Sequence, residues 1–161
     1  MITWAELERE APEIARLGRE LIERFQFVLV GPLTKGGSPR ISPVEAYLID
    51  GHLVMNMIPR SVKALDLLRD PRVYVHGPVT AKDGDPELKL AGRAVVLEDD
   101  PLVRELSDRF WEQIRWRPAP DSHDFEILIE RASWFTYGDG QTSIRWRLGR
   151  EGEKRLHRPG I

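Results

Sequence analysis

The sequence predicts an α+β fold in which an antiparallel β-barrel carries short helices at its margins. Three observations lead to this prediction: seven or eight short apolar runs are typical of strands, turn signals join several of them as hairpins, and two or three amphipathic segments are typical of helices. A chain of 161 residues suffices for one domain with a sizeable core. We therefore expect a single domain over residues 1–161, with N-terminal helices at 3–24, the barrel at about 25–148 and a tail at 149–161.

The N-terminal region predicts two helices. Thr3, followed three residues later by Glu6, forms a capping box that opens the first helix. Pro12 marks the start of the second helix, because a missing N–H is harmless in the first turn. Apolar residues then recur every three or four positions as far as Phe25. This spacing gives one apolar face, which indicates packing.

The strands are predicted from apolar alternation and from turns. Asp50 and Gly51 form a two-residue hairpin turn between two apolar runs. Gly92 interrupts a later run and is expected at a bulge or bend of the kind that closes a small barrel. The predicted elements after the N-terminal helices are strands at 25–33, 39–49, 52–58, 71–77 and 87–97, a helix at 101–115, and a final hairpin of 125–137 and 142–148. The polar, basic tail after residue 148 is expected to be frayed.

The junction that follows the first hairpin is the place where chemistry is expected. Ser61 is suited to be the N-cap of a short helix, and Leu65 and Leu68 give that helix an apolar stripe. A helix N-terminus attracts anions through its free N–H groups and partial positive charge, and Arg60 and Lys63 lie beside it in the sequence. Two interpretations stay open on the residues alone: a phosphate site, or an ordinary capped helix with two solvated cations. The spacing by itself favours the ordinary helix.

A resemblance to a known family changes that balance. Residues 37–44 (GSPRISPV), 57–67 (MIPRSVKALDL) and 69–73 (RDPRV) resemble the pyridoxamine phosphate oxidase-like family, over roughly 25–97 of the chain. Members of this family are split β-barrels that usually bind FMN, with relatives that use a deazaflavin or haem. The resemblance therefore implies an FMN-dependent oxidoreductase of unknown substrate, in which the bound flavin transfers a hydride. It implies no particular catalytic side chain.

The resemblance also implies which residues hold the cofactor. Arg40 would reach the phosphate, and Ser61 and Lys63 match the Ser and Lys of the family's phosphate motif. Two departures stand out, because Val62 replaces the middle Arg of that motif and Arg60 replaces the Gly that usually precedes its Ser. The implied cofactor-binding set is Arg40, Ile41, Ser42, Pro43, Val44, Asn56, Met57, Arg60, Ser61 and Lys63.

The departure at Val62 keeps two alternatives open. One is a deazaflavin-dependent reductase of the same fold, in which Arg60 and Arg69 would meet the longer acidic tail of that cofactor. The other is a non-enzymatic protein that binds haem or flavin, or that acts as a dimeric interaction module. The resemblance further implies a homodimer with cofactor sites at its interface, and a small-molecule substrate.

Composition excludes several other classes of protein. The formal net charge of −2 argues against general nucleic-acid binding, which needs a basic excess. The chain has no cysteine and its four histidines are scattered, so no metal site is expected. No apolar run reaches membrane-spanning length and no targeting motif occurs, so we expect a cytoplasmic protein without a membrane partner.

Overall fold

The computed structural model describes residues 1–79, 86–98, 101–138 and 140–160. This part of the chain contains four helices and eight strands. In order they are α1 (Trp4–Glu10), α2 (Pro12–Phe25), β1 (Phe27–Pro32), β2 (Ser42–Ile49), β3 (His52–Met57), α3 (Val62–Arg69), β4 (Arg72–His76), β5 (Glu87–Val96), α4 (Pro101–Ile114), β6 (His123–Gly138), β7 (Gly140–Arg147) and β8 (Lys154–Pro159).

The strands form one antiparallel sheet that closes on itself. The strand order is β3-β2-β1-β4-β5-β6-β7-β8, and an additional pairing of β3 with β6 closes the first six strands into a barrel. Strands β7 and β8 continue the sheet beyond β6. This architecture confirms the predicted α+β split barrel.

The helices cover the barrel where its apolar side chains need burial. Trp4 and Leu7 of α1 and Ile14 of α2 are fully buried and join the main core. The predicted capping box is present, with the Thr3 N–H donating to Glu6 at 2.8 Å and the Glu6 N–H donating to the Thr3 hydroxyl at 3.3 Å. No helix of the described residues is long and apolar enough to cross a membrane.

Gly92 lies at the irregularity that lets β5 and β6 bend together. The register between these strands shifts between Ala91 and Gly92. A Cβ atom at position 92 would lie 1.9 Å from the carbonyl oxygen of Leu128, so only glycine permits this approach of the two backbones. The predicted bulge or bend at Gly92 is confirmed.

One end of the barrel collects the segments that carry the predicted site. The register pairs Val30 with Ser42 and Pro32 with Val73, so β1 ends where β2 and β4 begin. Helix α3 connects β3 to β4 at this end of the barrel.

The predicted turn between β2 and β3 is also confirmed, because Asp50 and Gly51 have φ values of 47° and 82°.

Two of the sequence predictions were wrong. Leu65 and Leu68 of α3 are exposed, and the helix buries Ala64 and Leu67 instead. Both pairs have the same spacing of three residues, so periodicity alone could not decide which of them faces the core.

The tail was also predicted wrongly, because residues 154–159 form strand β8. This strand pairs with β7 over six residues, from Gly140 opposite Pro159 to Arg145 opposite Lys154. All six of its residues are exposed. A strand without a buried face shows no apolar alternation, so this strand could not be predicted from the hydrophobic pattern.

Candidate functional site

The start of α3 presents backbone donors that the protein itself does not use. Ser61 occupies the N-cap position, but its side chain makes no capping hydrogen bond. The first intrahelical bond runs from the Leu65 N–H to the Ser61 carbonyl oxygen, at 3.0 Å. The N–H groups of Val62, Lys63 and Ala64 therefore have no acceptor in the described part of the chain. Such a helix start suits an anion.

Arg60 lies just before this helix in a conformation that favours glycine. Its φ of 60° falls in the left-handed region, which costs an L-residue roughly 1–2 kcal/mol. The structure thus explains why the resembling family usually has glycine here. Arg60 is exposed and forms no hydrogen bond or ion pair with any described residue. The backbone conformation would favour glycine at position 60, so the presence of an arginine there must be explained by the charge of its side chain.

A buried carboxylate fixes two arginines beside the same helix. Asp66 accepts a hydrogen bond from Arg40 Nε at 2.7 Å and two from Arg69, each at 2.9 Å. Arg69 also donates to the Leu33 carbonyl oxygen at 2.5 Å. The hydrogen bond from Arg40, supported by Arg69, lowers the pKa of Asp66 and keeps it ionised.

Arg40 is held through one side of its guanidinium group only. Within the described residues its two Nη groups make no hydrogen bond, and its side chain is one-third exposed. An arginine that is anchored at Nε and open at Nη is positioned for bidentate contact with a phosphate. Arg40 therefore lies beside α3 through its hydrogen bond to Asp66. Its part in a phosphate site with Ser61 and Lys63 stays a prediction.

The first residues of β2 offer a backbone edge. Residues 42–44 pair with β1, whereas the ladder between β2 and β3 begins only at Ala46 opposite Met55. Ile41 and Pro43 have exposed side chains, and Ser42 is half-buried. Val44 points into the core, so it could meet a ligand only through its backbone.

Asn56 and Met57 lie at the end of β3, and both side chains are buried in contacts within the protein. The Asn56 side chain is buried and donates to Asp124 at 2.8 Å, and burial raises the pKa of that carboxyl. Met57 belongs to the main core. Contact of either side chain with a cofactor stays a prediction.

Asp66 is the residue of this region that sequence reasoning missed. Its partner Arg69 lies three residues later, a spacing that suits a helical ion pair. Its partner Arg40 lies 26 residues earlier, and only the fold brings the two together. An acidic residue between the apolar Leu65 and Leu67 is the signal that could have indicated a buried partner.

Known proteins share sequence and fold features with this chain. Residues 16–136 match the family model described as pyridoxamine 5'-phosphate oxidase. No curated protein sequence matches the chain significantly.

Several solved structures share the fold. ChuZ from Campylobacter jejuni has a TM-score of 0.74 at 13% identity, covering 93% of this chain and 66% of that one. A pyridoxamine 5'-phosphate oxidase-related, FMN binding protein from Nostoc punctiforme has a TM-score of 0.64 at 11% identity, covering 92% and 95%. A heme binding protein from Mycobacterium smegmatis has a TM-score of 0.60 at 20% identity, covering 89% and 57%.

Proposed function

Because this chain belongs to the pyridoxamine 5'-phosphate oxidase family, we propose that it is an FMN-dependent oxidoreductase that acts on a small molecule. The observation that carries the proposal is the uncapped start of α3, whose first N–H groups have no acceptor among the described residues, together with Arg40, which is anchored to Asp66 of the same helix. We propose that these donors and Lys63 act on one phosphate. These donors fit the phosphate end of FMN. When bound, FMN supplies a ring that accepts a hydride and passes it on.

The helix and the cations would each supply different hydrogen-bond donors to the phosphate. The N–H groups of Val62 and Lys63 would donate along the axis of α3, where the helix dipole favours negative charge. Arg40 would supply a planar pair of donors, and the Lys63 ammonium a single mobile charge. Arg60 would supply the charge that the family obtains from the arginine that Val62 replaces here.

The open edge of β2 would position the ring. Backbone groups of residues 42–44 that face away from β1 are available to ring heteroatoms. The exposed side chains of Ile41 and Pro43 supply apolar surface that would exclude water from the ring. Pro43 has no N–H, so donors on this edge come only from its neighbours.

An absorbance spectrum of the purified protein, before and after addition of FMN, tests the choice of cofactor. FMN would give flavin bands and a titration of one flavin per chain. Haem would give an intense band near the ultraviolet and a red-brown colour, and it is considered because one structural neighbour is a heme binding protein. A deazaflavin that binds where FMN does not would favour the alternative based on Arg60 and Arg69.

The substitution Lys63→Ala tests the phosphate site itself. We expect it to weaken FMN binding by roughly 1.5–3 kcal/mol, the scale of a charge-assisted hydrogen bond. Lys35→Ala is the matched control, because Lys35 is exposed in the turn before β2 and is not part of the proposed set. Fluorescence titration with FMN measures both variants. Equal affinity of Lys63→Ala and the wild type would refute the phosphate site.

We also propose that the protein forms a homodimer at this end of the barrel. Five apolar side chains on or beside α3 are exposed: Ile41, Ile58, Val62, Leu65 and Leu68. Three of them, at 62, 65 and 68, lie on the side of α3 opposite Ala64 and Leu67, which pack on the barrel. Sedimentation velocity tests this proposal, and a monomer at micromolar concentration would refute it. The cytoplasmic location stays a prediction.

A further inference from the structure

A cleft lies between the start of α4 and the start of β6. We call it the α4 cleft. It has a volume of about 350 Å³, which lies within the range of small-ligand sites. None of its residues belongs to α3 or to the set proposed for FMN. Part of its wall is apolar, formed by Leu97, Val103 and Pro120, and its polar residues are Glu98, Arg104, Ser122 and Asp124.

Asp124 contributes a buried carboxyl with one unused oxygen. It is 9% exposed, and its Oδ1 accepts a hydrogen bond from Asn56 Nδ2 at 2.8 Å. Its Oδ2 has no hydrogen-bond partner among the described residues. Because Asp124 lines the cleft, this oxygen is available to a donor that enters there. Burial raises the pKa of Asp124, and a positive group beside it would favour the ionised form.

Ser122 gives the same wall a second unsatisfied group. Its hydroxyl oxygen is buried and has no hydrogen-bond partner in the part of the chain that the structure describes. Buried polar groups nearly always have a partner, because an unpaired one destabilises the fold. Ser122 and Asp124 therefore make this part of the cleft a region of acceptors that lacks a donor.

The charged side chains at the cleft are also unpaired. Glu98 and Arg104 are exposed and make no hydrogen bond or ion pair with any residue that the structure describes. Elsewhere on α4 an arginine meets an acid, as Arg109 pairs with Glu105. The α4 cleft thus places two acids and one arginine around one space without pairing them.

We propose that the α4 cleft binds a small zwitterion, a molecule that carries a protonated amine at one end and a carboxylate at the other. The ammonium group would donate to the unused oxygen of Asp124 and to the Ser122 hydroxyl. The carboxylate would meet Arg104, whose planar guanidinium group matches it in a bidentate way. Leu97 and Val103 would pack against the apolar part of the ligand. Two acids against one arginine make the cleft net negative, so the amine contributes more to binding than the carboxylate.

The α4 cleft adjoins the region proposed for the cofactor. Asn56, which donates to Asp124, belongs to the set implied for FMN. In the proposed oxidoreductase the zwitterion would be the substrate, and that role rests on the proposed function. Binding of the zwitterion does not depend on the FMN phosphate, because the residues that line the cleft lie outside α3.

NMR titration of the isotope-labelled protein tests the proposal. The probes are the ω-amino acids from glycine to aminooctanoate, with the n-alkylamine and the n-alkanoate of each length for comparison. The protein is first saturated with FMN, or used as purified where FMN does not bind. We expect one length of ω-amino acid to bind about ten-fold more tightly than its alkylamine, and the alkanoate to bind most weakly. An alkylamine that binds as tightly as the ω-amino acid, or no shift of the amide signals of Arg104, Ser122 and Asp124 with any probe, would overturn the proposal.

Two variants separate the two ends of the ligand. Asp124→Asn should weaken binding of both the ω-amino acid and the alkylamine about ten-fold. Arg104→Gln, a change at an exposed position, should reduce the affinity for the ω-amino acid to that for the alkylamine and leave the alkylamine unaffected. Arg109→Gln is the matched control, because Arg109 is an exposed arginine of α4 outside the cleft. Unchanged affinity for the ω-amino acid in Arg104→Gln would overturn the proposal. Lys63→Ala should leave this affinity unchanged while it weakens FMN binding, so failure of either site is recognised separately.

Discussion

The start of α3 and the α4 cleft hold charge in opposite ways. At α3 a buried acid, Asp66, fixes Arg40 and Arg69, and the helix adds oriented N–H groups. In the α4 cleft the buried acid, Asp124, accepts from Asn56, and the charged side chains of Glu98 and Arg104 have no partner among the described residues. We propose the first arrangement as a site for one phosphate in one orientation. The second leaves charges of both signs unpaired, which suits a ligand that carries both.

Both regions keep a charge at a cost to local stability. Arg60 occupies a left-handed backbone conformation that favours glycine, and Asp124 buries a carboxyl to which, among the described residues, only Asn56 donates. A sequence selected for stability alone would replace these residues at little structural cost. The two proposals of ligand binding therefore rest on the same kind of observation, although the geometries of the two regions differ.

The largest expected difference between the two regions follows from removing the acid. In Asp66→Asn, Arg40 and Arg69 lose the carboxylate that positions them, so we expect FMN affinity to fall about ten-fold, as happens for groups that orient a ligating side chain. Binding of the ω-amino acid in the α4 cleft should not change, because none of the residues that line the cleft is bonded to Asp66. Fluorescence and NMR titrations of the same variant measure both affinities.

Asp108→Asn is the control for this comparison. It removes a carboxylate of similar chemistry that pairs with Arg117 on the surface of α4. FMN affinity equal in Asp66→Asn and Asp108→Asn would mean that Arg40 does not depend on its anchor. A parallel loss of ω-amino acid binding would mean that the two regions are not independent.

The contrast between the regions also explains how much the sequence could predict. The barrel was predictable because hairpin turns, alternation and Gly92 are local signals, and the resemblance at 57–67 that implies a phosphate motif lies in one contiguous run of the chain. The α4 cleft was not, because its residues come from the segments 97–98, 103–104 and 120–124, which meet only through the fold. Its buried acid, Asp124, accepts from Asn56, which lies 68 residues earlier in the chain.

The exposed face of α3 shows a different limit. The run from Ala64 to Leu68 offers two apolar pairs with the same spacing, and only the packing of the helix on the barrel shows that Ala64 and Leu67 are buried. The same packing turns Asp66 toward Arg40. A pattern along the chain contains no information about such a contact, since it depends on how β2 and α3 are placed.

A smaller effect is expected from Arg60, where charge and strain can be separated. Arg60→Gly should raise the free energy of unfolding by about 1 kcal/mol, because glycine adopts a positive φ without strain. It should also weaken FMN binding about three-fold, the loss of one exposed charge near a phosphate. Urea denaturation and FMN titration provide the two measurements.

Arg60→Ala is the informative control, because it removes the charge and keeps the strain. We expect the same loss of FMN affinity without the gain in stability. If both variants bind FMN as the wild type does, Arg60 is not a phosphate ligand, and the cation lost at Val62 has no replacement in this region.

The smallest effect concerns pH, and it compares two buried carboxyls of opposite behaviour. The pKa of Asp66 is lowered in the folded protein by Arg40 and Arg69, so its stabilising contribution is complete above the unfolded pKa of about 3.9 and is lost as pH falls through the folded value. The difference in unfolding free energy between the wild type and Asp66→Asn should therefore shrink below about pH 4.

Asp124 should behave in the opposite way. Burial raises the pKa of Asp124, so protonation removes the cost of burying its charge. The wild type should therefore gain stability relative to Asp124→Asn as pH falls from neutrality toward about pH 4. Urea denaturation of the three proteins from neutral pH to below about pH 4 measures both slopes. If the two free-energy differences change with pH in the same direction, one of the two carboxyls does not have the environment that the structure gives it. If the difference between the wild type and Asp66→Asn does not change with pH, Asp66 does not anchor the arginines of the α3 site.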